Sequence, residues 1–198
     1  MSIIKIQSGK GQHHNGCICT DNIDLQEGIC AVGRADGYNN KEDVCSYCYA
    51  KYLFSDTKYS IKPPITVERF STEINRRNRE KVKEKDSSKE VRHVRFGKMK
   101  DVWDPTSVDE SYATLMSALK ACNELDKPVM VMTKLLPFYE EIAVELITNN
   151  DSAIHYSLGD DALEKGAVKL GMNNLNRVET AKKYWDYGVN TYLRICAD

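Results

Sequence analysis

Residues 107–134 read "SVDESYATLMSALKACNELDKPVMVMTK", and their pattern decides the fold class. Val108, Tyr112, Leu115, Met116, Leu119 and Cys122 recur at helical spacing, so 107–125 is expected to be a helix with one apolar stripe. Ser107 and Glu110 stand where a capping box would open it. The following "KPVMVMTK" (127–134) reads as a short buried strand.

The alternation extends in both directions. "VRHVRFG" (91–97), "SAIHYSLG" (152–159) and "VNTYLRIC" (189–196) read as strands. "PFYEEIAVELITNN" (137–150) reads as a helix with proline in its first turn and Ile142, Ala143, Leu146 and Ile147 on one face. "NRVETAKKYWDYG" (176–188) is a further helix, opened by Asn176 with Glu179 and stopped by Gly188. Strands and helices in short alternating units make right-handed βαβ crossovers, hence an α/β protein with a parallel sheet. The pattern does not separate an open doubly wound sheet from a piece of a (β/α) barrel. In both, chemistry collects at the carboxyl ends of the strands. Those ends read "FGKMKD", "MTK", "YSLGDD" and "RICAD", all polar or charged. No Gly-x-Gly-x-x-Gly or phosphate loop opens a helix, which argues against a nucleotide-binding Rossmann domain.

The 198 residues suffice for one domain over 1–198, made of an N-terminal segment (1–27), a cysteine loop (28–52) and βα repeats (66–198). With 41% hydrophobic and 29% charged residues and a net charge of −1, nothing draws the whole chain to nucleic acid or membrane. The N-terminal apolar run is too short for a signal peptide and no window suits a membrane span, so a cytoplasmic protein is expected. In 66–90, Val67, Phe70 and Ile74 keep helical spacing. From Arg76 to Glu90 seven basic and four acidic side chains follow, read as a solvated helix end running into a loop.

Five of the seven cysteines, Cys17, Cys19, Cys30, Cys45 and Cys48, fall within 32 residues. A reducing compartment favours metal ligands or reactive thiols over a disulfide framework. Cys122 and Cys196 stand apart among apolar neighbours, as small core residues do. In "CSYC" the two-residue gap lets both sulfurs bind one metal or one cluster, and a third ligand, Cys30, arrives over a loop rich in turn residues. Three thiolates leave such a site open; Cys17 or Cys19 would close it into a structural zinc site of an interaction or nucleic-acid-binding protein. His13 and His14 are further potential ligands. A thiol redox role for "CSYC" fits poorly with the long loop and the cysteines upstream.

"CSYCYAK" (45–51) resembles the end of the cluster motif of radical S-adenosylmethionine enzymes. The fourteen residues between Cys30 and Cys45 depart from that family's usual three. The expanded C-x14-C-x2-C spacing is similar to that of some 7-carboxy-7-deazaguanine synthases. More weakly, "HVRFGKMKDVWDP", "PVMVMTK", "AIHYSLGDD" and "NTYLRICAD" resemble strands of phage and bacterial "CYA"-motif proteins with a radical-SAM-like barrel. The resemblance covers about residues 28–198.

It implies a partial (β/α) barrel of about five strands, four after the cysteine loop and one before it around "HNGCICT". It implies that Cys30, Cys45 and Cys48 hold a four-iron, four-sulfur cluster whose open iron takes S-adenosylmethionine, with Tyr47 beside the adenine. The implied activity is reductive cleavage of that cofactor to a 5′-deoxyadenosyl radical, which takes hydrogen from a small-molecule, nucleotide or peptide substrate; an electron donor is the partner required. The family's glycine-rich second-strand motif is reduced here to Gly97, and Lys98, Lys100 or Asp101 are expected to shape the mouth of the site. Lys134, Ser157 and Arg194, at later strand ends, are expected to contact cofactor or substrate. An uncovered last strand leads us to expect a homo-oligomer, a partner completing the barrel edge, or an unusual edge.

Overall fold

The computed structural model describes residues 7–8, 21–28, 31, 60–85, 90–97 and 100–195. In chain order the elements are β1 (Gln7–Ser8), β2 (Asp21–Ile23), β3 (Gln26–Glu27), β4 (Ser60–Ile61), α1 (Val67–Lys83), β5 (Val94–Phe96), α2 (Val108–Glu124), β6 (Val129–Thr133), α3 (Glu140–Thr148), β7 (Ala153–Leu158), α4 (Lys165–Lys169), α5 (Asn174–Tyr187) and β8 (Asn190–Ile195). The main sheet runs β1-β2-β5-β6-β7-β8; β1 is antiparallel to β2 and the other five strands are parallel. The protein is therefore α/β, with the parallel sheet the alternating pattern predicts. The first parallel strand lies at Asp21–Ile23, just after "HNGCICT", which is outside the described residues.

Each parallel strand is laid beside the one before it in the chain, and the order never reverses. With right-handed crossovers throughout, such an order brings every connecting helix to the same face of the sheet. The contacts agree: α1 packs on α2, α2 on α3, and α5 on β7 and β8. This one-sided winding distinguishes the sheet from a doubly wound one.

The register aligns two chemically different faces. Ile23, Phe96, Val131 and Ile154 form one row across four strands, each fully buried on the helix side. Leu115, Leu119 and Cys122 of α2, Ile142, Ala143 and Leu146 of α3, and Ala181 and Tyr184 of α5 complete that core. The Tyr156 hydroxyl donates to the Leu136 carbonyl at 2.7 Å, which satisfies the polar tip of a buried ring. On the opposite face the aligned row is Asn22, Arg95, Met130, Ala153 and Asn190. The next row toward the carboxyl ends is Met132, His155 and Tyr192.

Several local expectations need correcting. Ser107 is the N-cap of α2, but its side chain makes no capping bond; its ψ of 62° departs from the usual cap geometry, and Glu110 closes no box with it. Helix α5 begins earlier than Asn176: Asn173 is its N-cap and its side chain accepts the Asn176 N–H at 2.9 Å. Gly188 does stop that helix, in the left-handed conformation at φ 103°. Pro137 precedes α3 by three residues instead of starting it, and its carbonyl accepts the Tyr184 hydroxyl at 3.0 Å. Ile147 stays 38% exposed, off the buried face of α3.

The charged end of α1 is not wholly solvated either. Arg77 and Lys81 are buried and both meet the buried Asp21 carboxylate, at 2.9 and 2.8 Å. A β2 carboxylate on the helix side demands such partners, since an unpaired buried charge is costly. Among the described residues no helix is long and apolar enough to cross a membrane.

Candidate functional site

The cysteine-bearing segment leaves the sheet at one place. After β2 the chain forms β3, and it returns as β4, paired antiparallel with β3 in the register Gln26↔Ile61 and Glu27↔Ser60. Both ends of the excursion are thus clamped just beyond the carboxyl end of the first parallel strand. Lys62 N–H donates to Leu25 O at 3.0 Å, and the Lys100 ammonium donates to Gln26 O at 3.1 Å. Gln26 itself is 1% exposed, and neither its side-chain oxygen nor its nitrogen has a partner among the described residues. Burial lowers the Lys62 ammonium from its ordinary range, while Asp24 and Glu27 pull it back up.

Cys30, Cys45, Cys48, Tyr47 and Lys98 lie outside the described residues, as do Cys17, Cys19, His13, His14 and Cys196. Cys122 is buried in the core, where burial pushes its thiol well above the usual range, so it behaves as an inert small side chain. Among the described residues no group of three or more His, Cys, Asp or Glu side chains could hold a metal ion.

The remaining expected site residues take distinct places. Gly97 follows β5 at φ 84°, and a Cβ there would sit 2.1 Å from the Met132 carbonyl oxygen. Glycine is required because the two chains approach so closely. Lys134 follows β6 and pairs with Glu164, which also pairs with Arg177; Glu164 and Arg177 are fully buried. Burial pushes the Glu164 carboxyl up and Arg177 draws it back. Arg177 further donates to the Ser157 carbonyl at 3.0 Å, fastening α5 to the end of β7. Lys134 therefore has a structural duty, whatever else its head reaches.

Asp101, expected to shape the mouth, is buried against the end of β6. Its carboxylate accepts the Thr133 hydroxyl at 2.7 Å, the Lys134 N–H at 2.6 Å and the Trp103 N–H at 3.1 Å. Burial raises its pKa against those hydrogen bonds. It ties the loop after β5 to the end of β6.

Ser157 and Arg194 do come together, as direct register partners on β7 and β8. They share the helix-free face with His155 and Tyr192, whose rings stack with centroids 4.8 Å apart. Farther along that face, Arg95 Nε donates to Asn22 Oδ1 at 2.7 Å. Asn22 is 3% exposed and its Nδ2 has no partner among the described residues. His155 is held below its ordinary 6.5 by burial first, then by Arg194 and Arg95. Sequence reading missed Arg95, His155 and Asn22. The signal was present in "AIHYSL", where polar His155 and Ser157 alternate with apolar Ile154 and Tyr156.

No family model, no curated protein and no solved structure matches this chain.

Proposed function

We propose that this protein is a radical S-adenosylmethionine enzyme built on a partial (β/α) barrel, acting on a substrate bound against the helix-free face. The observation that carries the reading is the position of the "CSYCYAK" segment: its loop is rooted at the carboxyl end of β2, the first parallel strand. Parallel α/β sheets hold their chemistry at that end. The chain-ordered winding supports the barrel, since strands added in one direction with helices on one side curl around the uncovered face.

The residues fit the implied groups. Cys30, Cys45 and Cys48 give the three thiolates that an iron–sulfur cluster with one open iron requires. The unpartnered Gln26 amide at the root of the loop is the kind of buried polar group that a bound cofactor satisfies. Once bound, the cluster and S-adenosylmethionine supply one-electron cleavage and hydrogen-atom abstraction. This chain's own part is to orient and to exclude water. Asp101 and the Lys134–Glu164–Arg177 network fix the strand ends around the mouth. Tyr47 would flank the adenine of the bound cofactor, and Gly97 lets the loop after β5 lie close against β6. Ser157 and Arg194 face the substrate. A one-electron donor is the partner this chemistry needs.

The test is anaerobic reconstitution with iron and sulfide, followed by reduction and incubation with S-adenosylmethionine. The expected result is the broad visible absorbance of iron–thiolate charge transfer and release of 5′-deoxyadenosine. A colourless protein that takes up zinc instead would overturn the reading.

A further inference from the structure

The main sheet ends differently at its two edges. β1 closes one side with two residues, too short a strand to template another chain. β8 closes the other with six, and among the described residues it pairs with β7 alone. Its sequence, "NTYLRI", is rich in β-branched and aromatic side chains. It holds no proline or lysine, the usual devices against edge-to-edge pairing, and its single charge is Arg194.

The apolar side chains of this edge stay uncovered. The register sets Thr191, Leu193 and Ile195 in line with Ile154, Tyr156 and Leu158 of β7, which places them on the helix side. Ile154 and Tyr156 are fully buried there, yet Leu193 is half-exposed and Ile195 is 79% exposed. Helix α5 accounts for the step. It packs on β7 and β8 through the buried Arg177, Ala181 and Tyr184. Tyr184 and Tyr187 meet Phe138 on the flank toward α3. At about 100° per residue, Val178 and Trp185 follow on the opposite flank, the one that overlooks the outer edge of β8. Trp185 is 64% exposed. The α5 flank and the outer half of β8 thus make one apolar ledge along the open edge of the sheet.

We propose that this ledge is a homodimer interface, in which β8 pairs antiparallel with β8 of a second copy about a two-fold axis normal to the sheet. The strand is self-complementary. With Leu193 opposite Leu193, Thr191 faces Ile195 and Tyr192 faces Arg194, so the one cation meets an aromatic ring and not its own kind. The helices fit as well. The same axis sets the two α5 helices two strand spacings apart, about 10 Å, which is where helices pack. Around that flank α5 exposes Glu179, Lys182, Lys183 and Asp186, two of each sign, so a copy is not repelled. Val178, Trp185, Tyr192, Leu193 and Ile195 offer on the order of 600 Å² per copy, and the strand backbone adds to it; a stable complex buries about 800 Å² per partner. The interface does not depend on the enzymatic reading above.

Sedimentation velocity of the full chain, kept reduced, from about 1 to 100 μM tests it. A species of twice the 22.5 kDa chain mass is expected to grow with concentration. Ile195→Lys and Trp185→Lys, at exposed positions, should keep the wild-type circular dichroism and each raise the dissociation constant about tenfold or more. Val82→Lys, exposed on α1, should dimerise as the wild type does. Cys45→Ala should too, so failure of the cluster reading is distinguishable from failure of this one. Hydrogen–deuterium exchange of the unaltered chain locates the contact: amides within 190–195 should exchange more slowly as the dimer forms. A chain that stays monomeric at the highest concentration would overturn the proposal. So would a dimer that both lysine variants leave intact, or one whose formation leaves exchange within 190–195 unchanged.

Discussion

Along β6 and β7, Val131 and Ile154 are fully buried under the helices, while Met132 and His155 alternate with them onto the other side. Parallel strands covered on both faces read as nearly continuous apolar runs. Here the alternation breaks that rule, and among the described residues the hydrophobic core lies on the helix side. The other side holds arginines, a histidine, asparagines and methionines. A face that is partly buried yet polar contributes little to folding free energy and is expensive to keep dry without a ligand. The difference teaches that the apolar packing of the fold is concentrated on one side of the sheet, while the other side is polar.

The largest break in that contrast comes from placing a carboxylate on each side. Val131→Asp puts a carboxylate at a fully buried core position and should abolish cooperative unfolding. Met132→Asp, one residue on, should still fold with a well-defined urea transition. If both variants unfold alike, the two faces are not as different as described. Truncation should sharpen the same contrast. Ile154→Ala is expected to cost about 2–5 kcal/mol in a denaturation midpoint analysis. His155→Gln should cost under about 1 kcal/mol.

A smaller effect concerns acid. His155 binds its proton less readily in the folded chain than in the unfolded one, because burial and the Arg194 and Arg95 charges lower it from 6.5. The stabilisation that follows is present above that value and is lost as pH falls through it. His93, lowered mainly by burial, adds to the same trend, while the raised Asp101 and Glu164 act in the opposite direction at lower pH. Melting temperatures at successive pH values should therefore fall less steeply for His155→Gln than for the wild type between neutrality and mild acid. Identical slopes would remove the electrostatic link between the two arginines and this imidazole. The smallest effect separates the two helix starts: Asn173→Ala should cost about 1 kcal/mol, since its side chain caps α5, and Ser107→Ala close to nothing.

Much of the fold was legible because local periodicity and packing agree. Phe70 and Ile74 of α1, Leu115, Met116, Leu119 and Cys122 of α2, Ile142, Ala143 and Leu146 of α3, and the four strands from β5 to β8 lie where the pattern puts them, whereas Val108 and Ile147 stay 41% and 38% exposed. What failed depended on partners distant in the chain. Arg77 and Lys81 look like surface charge until Asp21, 56 residues from Arg77, is brought beneath α1. The hydrogen bonds that Asp101 accepts from Thr133 and the Lys134 amide, over 30 residues away, were likewise not readable from local pattern. The start of α5 slipped because Asn173, three residues upstream of Asn176, caps the helix through the Asn176 N–H. Ser157 and Arg194 could be placed at strand ends from the pattern alone, whereas the alignment of Arg95 and His155 on the same face needed the register of the parallel strands.

The account depends most on the thiolates beyond β2, and iron content per chain tests it most directly. After anaerobic reconstitution, Cys30→Ala, Cys45→Ala and Cys48→Ala should each lose the cluster, while Cys122→Ala, altered only in the core, keeps the wild-type iron and sulfide. Equal iron in all four variants would contradict the assignment, and so would loss of the metal in Cys17→Ala, which would mean a fourth thiolate closing the site.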